Sequence, residues 1–155
     1  MIAREGEGLA LSIVKGGTYV VMEGPQFSSV AESELHRSMH AAVIGMTNMP
    51  EAKLAREAEL CYATVAMVTD FDCWHPDHDH VQVDHVLAVM ESNSANAKRL
   101  IAGVLPKLNT HVEPCTFGCD RALETAIMTA PERRDPKLVQ QLEVVAGRVL
   151  GTRAP

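Results

Sequence analysis

The chain has 155 residues, 46% hydrophobic and 22% charged, enough apolar material for one compact domain and too much for a disordered one. With 14 Lys+Arg against 20 Asp+Glu, the net charge of -6 has the wrong sign for a nonspecific binder of nucleic acid or anionic membrane. No apolar run approaches the ~18 residues of a membrane span, and Met1-Ile2-Ala3-Arg4-Glu5 lacks the layout of a signal peptide, so a cytoplasmic protein is expected.

Turn residues divide the chain into predicted elements. Gly16-Gly17 precedes the β-rich run Thr18-Tyr19-Val20-Val21-Met22-Glu23, closed by Gly24-Pro25, and predicts a strand. Ser28-Ser29 followed by Glu32 predicts a helix to about Met39, because a capping hydroxyl and a reciprocal carboxylate satisfy the free N–H groups of a first turn. Residues 42–46 are a short continuous apolar run, as in a buried parallel strand. Thr47-Asn48-Met49-Pro50-Glu51 reads as the entrance to a helix ending near Leu60. Residues 61–68 are again almost wholly apolar and predict a third strand, stopping at Thr69-Asp70-Phe71-Asp72. A polar loop from His75 to His80, an amphipathic helix over 83–102, a turn-rich segment over 114–130 and a last helix over 136–150 complete the reading.

Strand, helix, strand, helix, strand is the order of an α/β sheet with helices on its faces. In such sheets the ligand cleft lies outside the carboxyl ends of the strands, here at Glu23-Gly24-Pro25, Met46-Thr47 and Thr69-Asp70. A sheet of only three strands this apolar would keep an exposed face or edge, so further strands are expected from the C-terminal part or from another chain.

Four groups of residues could carry chemistry. His75, Asp77, His78, Asp79 and His80, with Asp84 and His85 just after, would suit a divalent metal by composition, but Pro76 and the alternating spacing fit a solvated loop better. Cys115 and Cys119 are spaced at the long edge of a zinc pair and would need two more ligands, so no metal is expected and the cysteines read as thiols of a reducing compartment. Asp70 and Asp72 alternate along an extended segment, which would turn both carboxylates to one side to exchange protons or read donors, although Asp also favours turns. Phe27, after Gly24-Pro25, could stack on a planar ligand or fill a core, and Thr47 at a helix N-terminus suits a phosphate.

The segments EGPQFSSVAES, VIGMTNMPEAKLAREAELCYATVAMVTDFDCW and HVQVDHVL resemble the C-terminal portion of the purine nucleoside phosphorylase family, in its 5′-methylthioadenosine-cleaving branch. The likeness runs without an obvious gap from about Gly16 to Pro106, and residues 115–130 are similar to the C-terminal region of bacterial members. It implies a three-layer α/β fold with a central mixed sheet flanked by helices, of which residues 1–155 form the C-terminal portion of a single domain. It also implies a pentosyltransferase of purine and methionine salvage that converts 5′-methylthioadenosine to adenine and 5-methylthioribose 1-phosphate. No cofactor is implied, since inorganic phosphate is the co-substrate.

Residue by residue, the resemblance matches Phe27 to the aromatic side chain against the purine, with Ser28 where the 6-oxo-specific branch carries Glu. Met46 matches the residue beneath the ribose, and Thr47 a phosphate ligand. Asp70 and Asp72 match the pair on purine N7 and the 6-amino group, Asp70 as the catalytic acid. Val83, Val86 and Leu87 match the apolar wall around the methylthio group and share one helix face. Asp70, where the 6-oxo branch has Asn, favours adenine. The alternatives are an enzyme for methylthioinosine or general purine nucleosides, or a purine-binding module without phosphate chemistry. The family's N-terminal half, with its Gly-Gly-Thr-Gly phosphate loop, an Arg-His pair and several strands, is implied as a separate chain. A homotrimer of the complete subunit is implied too, in which Ile127 or Met128 reaches the neighbouring subunit. Two positions depart from the family pattern: Ala42 stands where Asp is usual, and His40 where Gly is usual.

Overall fold

Ser29 caps a helix by the reciprocal arrangement that its spacing from Glu32 requires. In the computed structural model the Glu32 N–H donates to Ser29 Oγ at 3.3 Å, and the Ser29 N–H donates to Glu32 Oε2 at 2.7 Å. The Ser29 N–H and the Ser29 hydroxyl, which also donates to Glu32 Oε2 at 2.8 Å, hold the Glu32 carboxyl below its ordinary value. The structure describes residues 1–75, 83–108 and 114–151, the side chains of residues 83–85 excepted. It divides into two units, residues 1–46 with 65–111, and residues 47–64 with 112–155.

In the first unit, β1 (Thr18–Val21) runs parallel to β2 (Ala41–Gly45), with α2 (Val30–Ser38) between them in sequence and packed on β2. The register pairs Tyr19 with Val43, Val20 with Ile44 and Val21 with Gly45, after an irregularity at Thr18/Tyr19. A Cβ at Gly45 would strike the Tyr19 hydroxyl lying across it, so that side chain would have to shift. The predicted strand over 61–68 does not form: among the described residues the sheet has two strands, β1 and β2. A strand exists only against a partner, and Tyr62, Val65, Met67 and Val68 stand exposed.

The first unit also holds α1 (Ile2–Gly8), which the sequence reading missed, packed against α4 (Val83–Val104). Two glycines hide this short helix from propensity, and one of them makes it possible: Gly6 lets α1 close on Ile13 and on Leu100, which is 5% exposed. Lys107 pairs with Glu5, and Arg99 Nη2 donates to the Leu9 carbonyl at 3.1 Å.

Three helices end on a residue in the left-handed region that is not glycine: Ala10 after α1, His40 after α2, and Glu59 after α3 (Glu51–Glu57). At φ 57, His40 donates its N–H to the Arg37 carbonyl at 2.9 Å and turns the chain into β2. A Cβ in this region costs about 1–2 kcal/mol. His40→Gly is expected to stabilise the chain by about 1 kcal/mol, net of the extra entropy of an unfolded glycine. Denaturant unfolding of the two proteins measures this, and a destabilised variant would contradict it.

The second unit contains α3, α5 (Pro136–Gln141) and α6 (Glu143–Leu150). The predicted single helix over 136–150 is broken at Leu142, at φ -89 and ψ 1. The Leu142 carbonyl there accepts from both Val145 and Ala146, at 3.1 and 2.8 Å, which tightens the turn. Glu59 joins the segments: its carboxylate accepts the Arg148 guanidinium in a fork, at 2.8 and 2.6 Å, and the Leu123 N–H at 3.1 Å. The Arg148 hydrogen bond holds the Glu59 carboxyl below its ordinary value of 4.5, so its stabilisation is complete above that value and is lost as pH falls below it. Glu59→Gln is therefore expected to lower stability near neutral pH and to flatten its decline in acid, measured by denaturant midpoints across that range. No helix among the described residues is long and apolar enough to cross a membrane.

Candidate functional site

The carboxyl ends of β1 and β2 gather three segments of the first unit. After β1 the chain turns through Gly24-Pro25 into Phe27-Ser28, and Gly24, at φ +70, lies so close to Met46 that a Cβ there would sit 2.6 Å from its sulfur. Met46, directly after β2, thus lies against the turn. Ser28 Oγ donates to Met22 Sδ at 3.7 Å, and the Ser28 carbonyl accepts the Cys73 thiol at 3.3 Å. This last bond brings the loop carrying Asp70 and Asp72 to the Phe27-Ser28 turn.

The loop is held at several points. The Thr69 hydroxyl donates to Asp70 Oδ2 at 2.6 Å, and Asp72 Oδ1 accepts the Cys73 N–H at 3.0 Å. The His75 N–H closes the turn onto the Asp72 carbonyl at 3.3 Å. Trp74 carries the Arg37 guanidinium 3.9 Å from its ring centroid, and meets Phe71 edge-on at 6.0 Å. Cys73 and Arg37 are positioning residues that the sequence reading missed, since partners 45 residues apart, as in the Cys73–Ser28 bond, leave no local pattern.

Phe27 is 87% exposed. Asp70 is exposed, while Asp72 and Met46 are half-buried. Val86 is half-buried and Leu87 is 56% exposed on the first turns of α4; Val83 begins that helix, its side chain outside the description. Asn93 Nδ2 donates to the Val68 carbonyl at 2.9 Å and so ties α4 to the stretch leading into Asp70. Beside this bond lies an open hollow of about 250 Å³, lined by Met67, Thr69, Met90, Asn93, Ser94 and Ala97. Thr47 is exposed and belongs to the second unit, where its neighbour Asn48 accepts from the Tyr62 and Thr64 hydroxyls at 2.9 and 2.6 Å.

Among the described residues no group of three or more His, Cys, Asp or Glu is arranged to hold a metal ion. Asp77, His78, Asp79 and His80 lie outside the described residues, as do the side chains of Asp84 and His85. The site thus offers two acids, an open ring and a thioether, and the contacts that join them do not include Val86 or Leu87 of α4. That set can stack a heterocycle and exchange hydrogen bonds with its edge.

Comparison with known proteins gives a consistent result. A family model described as the phosphorylase superfamily matches residues 3–106. S-methyl-5'-thioadenosine phosphorylase of Bradyrhizobium diazoefficiens is 62% identical over 148 residues, 96% of this chain and 50% of that protein. The Rhodospirillum rubrum protein of the same name is 57% identical over 92% of this chain and 49% of its own. A crystal structure of methylthioadenosine phosphorylase from an antarctic soil metagenomic library superposes with a TM-score of 0.79 at 39% identity, covering 93% of this chain and 50% of that one. Methylthioadenosine phosphorylase from Schistosoma mansoni in complex with adenine superposes at 0.66 with 28% identity, over 79% and 48%. The chain spans about half the length of the curated relatives it matches.

Proposed function

The chain belongs to the phosphorylase superfamily, and from that premise we propose that it is the C-terminal portion of a subunit that cleaves 5′-methylthioadenosine with phosphate. The reading rests on one observation: the Phe27-Ser28 turn, Met46 and the Asp70–Asp72 loop meet at the carboxyl ends of β1 and β2.

In this reading the purine lies against Phe27, beside Ser28, with the ribose over Met46. A protonated Asp70 donates to N7, and Asp72 accepts from the 6-amino group. Phosphate, held in part by Thr47, attacks the anomeric carbon as the C–N bond breaks. The bonding pair leaves with the base, where Asp70 supplies the proton, and the phosphate dianion stabilises the cationic sugar. Val83, Val86 and Leu87 wall the methylthio group, a preference over hydroxyl worth about 1–3 kcal/mol. Phosphate is the co-substrate and no cofactor takes part.

The remaining portion of the subunit supplies the strands that pair with the exposed stretch at Val65, Met67 and Val68. The complete subunit assembles as a cytoplasmic homotrimer serving purine and methionine salvage. Supplying that portion and incubating with 5′-methylthioadenosine tests the proposal. Adenine and 5-methylthioribose 1-phosphate are expected in equal amounts, and only with phosphate. Adenine binding without turnover would instead identify a purine-binding module, and faster cleavage of the 6-oxo analogue a different base preference.

A further inference from the structure

One residue beside the proposed phosphate ligand is held at two points. Asn48 follows the exposed Thr47 and sits at φ 85, in the left-handed region that Asn enters more readily than most residues with a Cβ. Its carbonyl accepts the Ala52 N–H at 3.1 Å and so begins the first turn of α3. Its side chain reaches the stretch after α3, where Oδ1 accepts the Tyr62 hydroxyl at 2.9 Å and the Thr64 hydroxyl at 2.6 Å. These two donors fill both lone pairs of the amide oxygen. They come from 14 and 16 residues away, so this is not the local turn that an Asn makes with its own neighbours. Thr47, Asn48, α3, Tyr62 and Thr64 all belong to the second unit.

The peptide that joins Thr47 to Asn48 is planar, and φ sets its orientation about the Asn48 Cα. With the carbonyl and the side chain both anchored, φ is held, and the Thr47 end of that plane is held with it. A glycine here would reach the same φ at no steric cost, but nothing would keep it there. A sparsely populated backbone conformation, pinned next to a ligand-binding hydroxyl, pre-organises that hydroxyl.

We propose that Asn48 is a positioning residue for phosphate: pinned by the Tyr62 and Thr64 hydroxyls, it fixes the Thr47 hydroxyl in the orientation that holds the nucleophile. The proposal rests on the reading of Thr47 as a phosphate ligand and adds three residues that act through it. Its effect falls on phosphate, because Phe27, Ser28, Met46, Asp70 and Asp72, assigned to purine and ribose, belong to the first unit.

The test is steady-state kinetics on the enzyme assembled with the remaining portion of the subunit, varying phosphate and 5′-methylthioadenosine separately. Asn48→Gly keeps the backbone conformation accessible and removes the anchor. Its KM for phosphate should rise about 10-fold, the lower end of what a hydrogen bond to a charged group contributes. Both kcat and the KM for the nucleoside should stay within about 2-fold. Tyr62→Phe combined with Thr64→Val leaves Asn48 in place and should reproduce the rise. Thr47→Val should raise the same KM, and adding Asn48→Gly to it should have little further effect, because both changes remove one interaction. A phosphate KM left unchanged by Thr47→Val would end the phosphate reading of Thr47, and the proposal with it. A response to Thr47→Val with none to Asn48→Gly would overturn the proposal alone. So would additive effects of the two, or a loss spread equally over kcat and both KM values, as a merely structural tie would give.

Discussion

Asp70→Asn is expected to lower kcat/KM for 5′-methylthioadenosine by about 100-fold or more, the lower end of what a positioned general acid contributes. The loss should fall mainly on kcat, since a proton delivered to the departing base is an interaction made in the transition state. An amide at this position still donates a hydrogen bond but cannot surrender a proton. It also suits the edge of a 6-oxo purine, so 5′-methylthioinosine should lose less and the ratio of the two substrates should shift toward it. Steady-state rates with both substrates on the assembled enzyme measure this. Equal losses on both would remove Asp70 from base recognition, and little loss on either would remove it from catalysis. The loop that presents Asp70 is held by the Thr69 hydroxyl, by Cys73 on Ser28 and by Arg37 on Trp74. The amide variant disturbs only the first of these.

Val65→Lys has the second large effect, and it separates two states of the same residue. Val65 is 43% exposed in this chain, so the substitution should change its own stability by no more than about 0.5 kcal/mol. On the proposed reading the same stretch becomes a strand of the complete subunit's sheet, where an unpaired ammonium costs several kcal/mol. Assembly with the remaining portion should therefore weaken by about 100-fold or more, and activity should vanish with it. Unfolding curves of the chain alone and titrations of the pair by ultracentrifugation read the two effects. A variant that assembles normally would place residues 61–68 outside the sheet.

The difference between that stretch and β2 shows where sequence reading succeeds and where it stops. Residues 42–46 and 61–68 look alike in sequence, short apolar runs closed by turn residues. The first finds β1 as a partner and forms a ladder, while the second finds none among the described residues. Apolarity encodes the demand for a neighbour, and only the neighbour makes the strand. Local signals fared better: the Ser29–Glu32 capping box and the helix it starts were legible because their bonds span three residues.

The site follows the same division. The Gly24-Pro25 turn, the end of β2 at Met46 and the acids after Thr69 were placed at strand ends by pattern alone, and the fold brings them together. Arg37 on Trp74 and Cys73 on Ser28 were invisible, because contacts between distant segments follow from the fold and leave no periodic trace. The missed helix α1 is the converse case: Gly6 and Gly8 argue against a helix locally, and the packing of α1 on α4, with Gly6 closing on Ile13, overrides them. The single helix expected over 136–150 failed on one residue, Leu142, whose carbonyl takes two donors.

A crystal structure of the assembled enzyme with adenine bound tests the central claim most directly. The base should lie against Phe27 with the Asp70 carboxyl in hydrogen-bond range of N7 and the Asp72 carboxyl in range of the 6-amino group, each at about 2.6–3.2 Å. Adenine seated elsewhere, or both acids turned away from the bound base, would contradict the account.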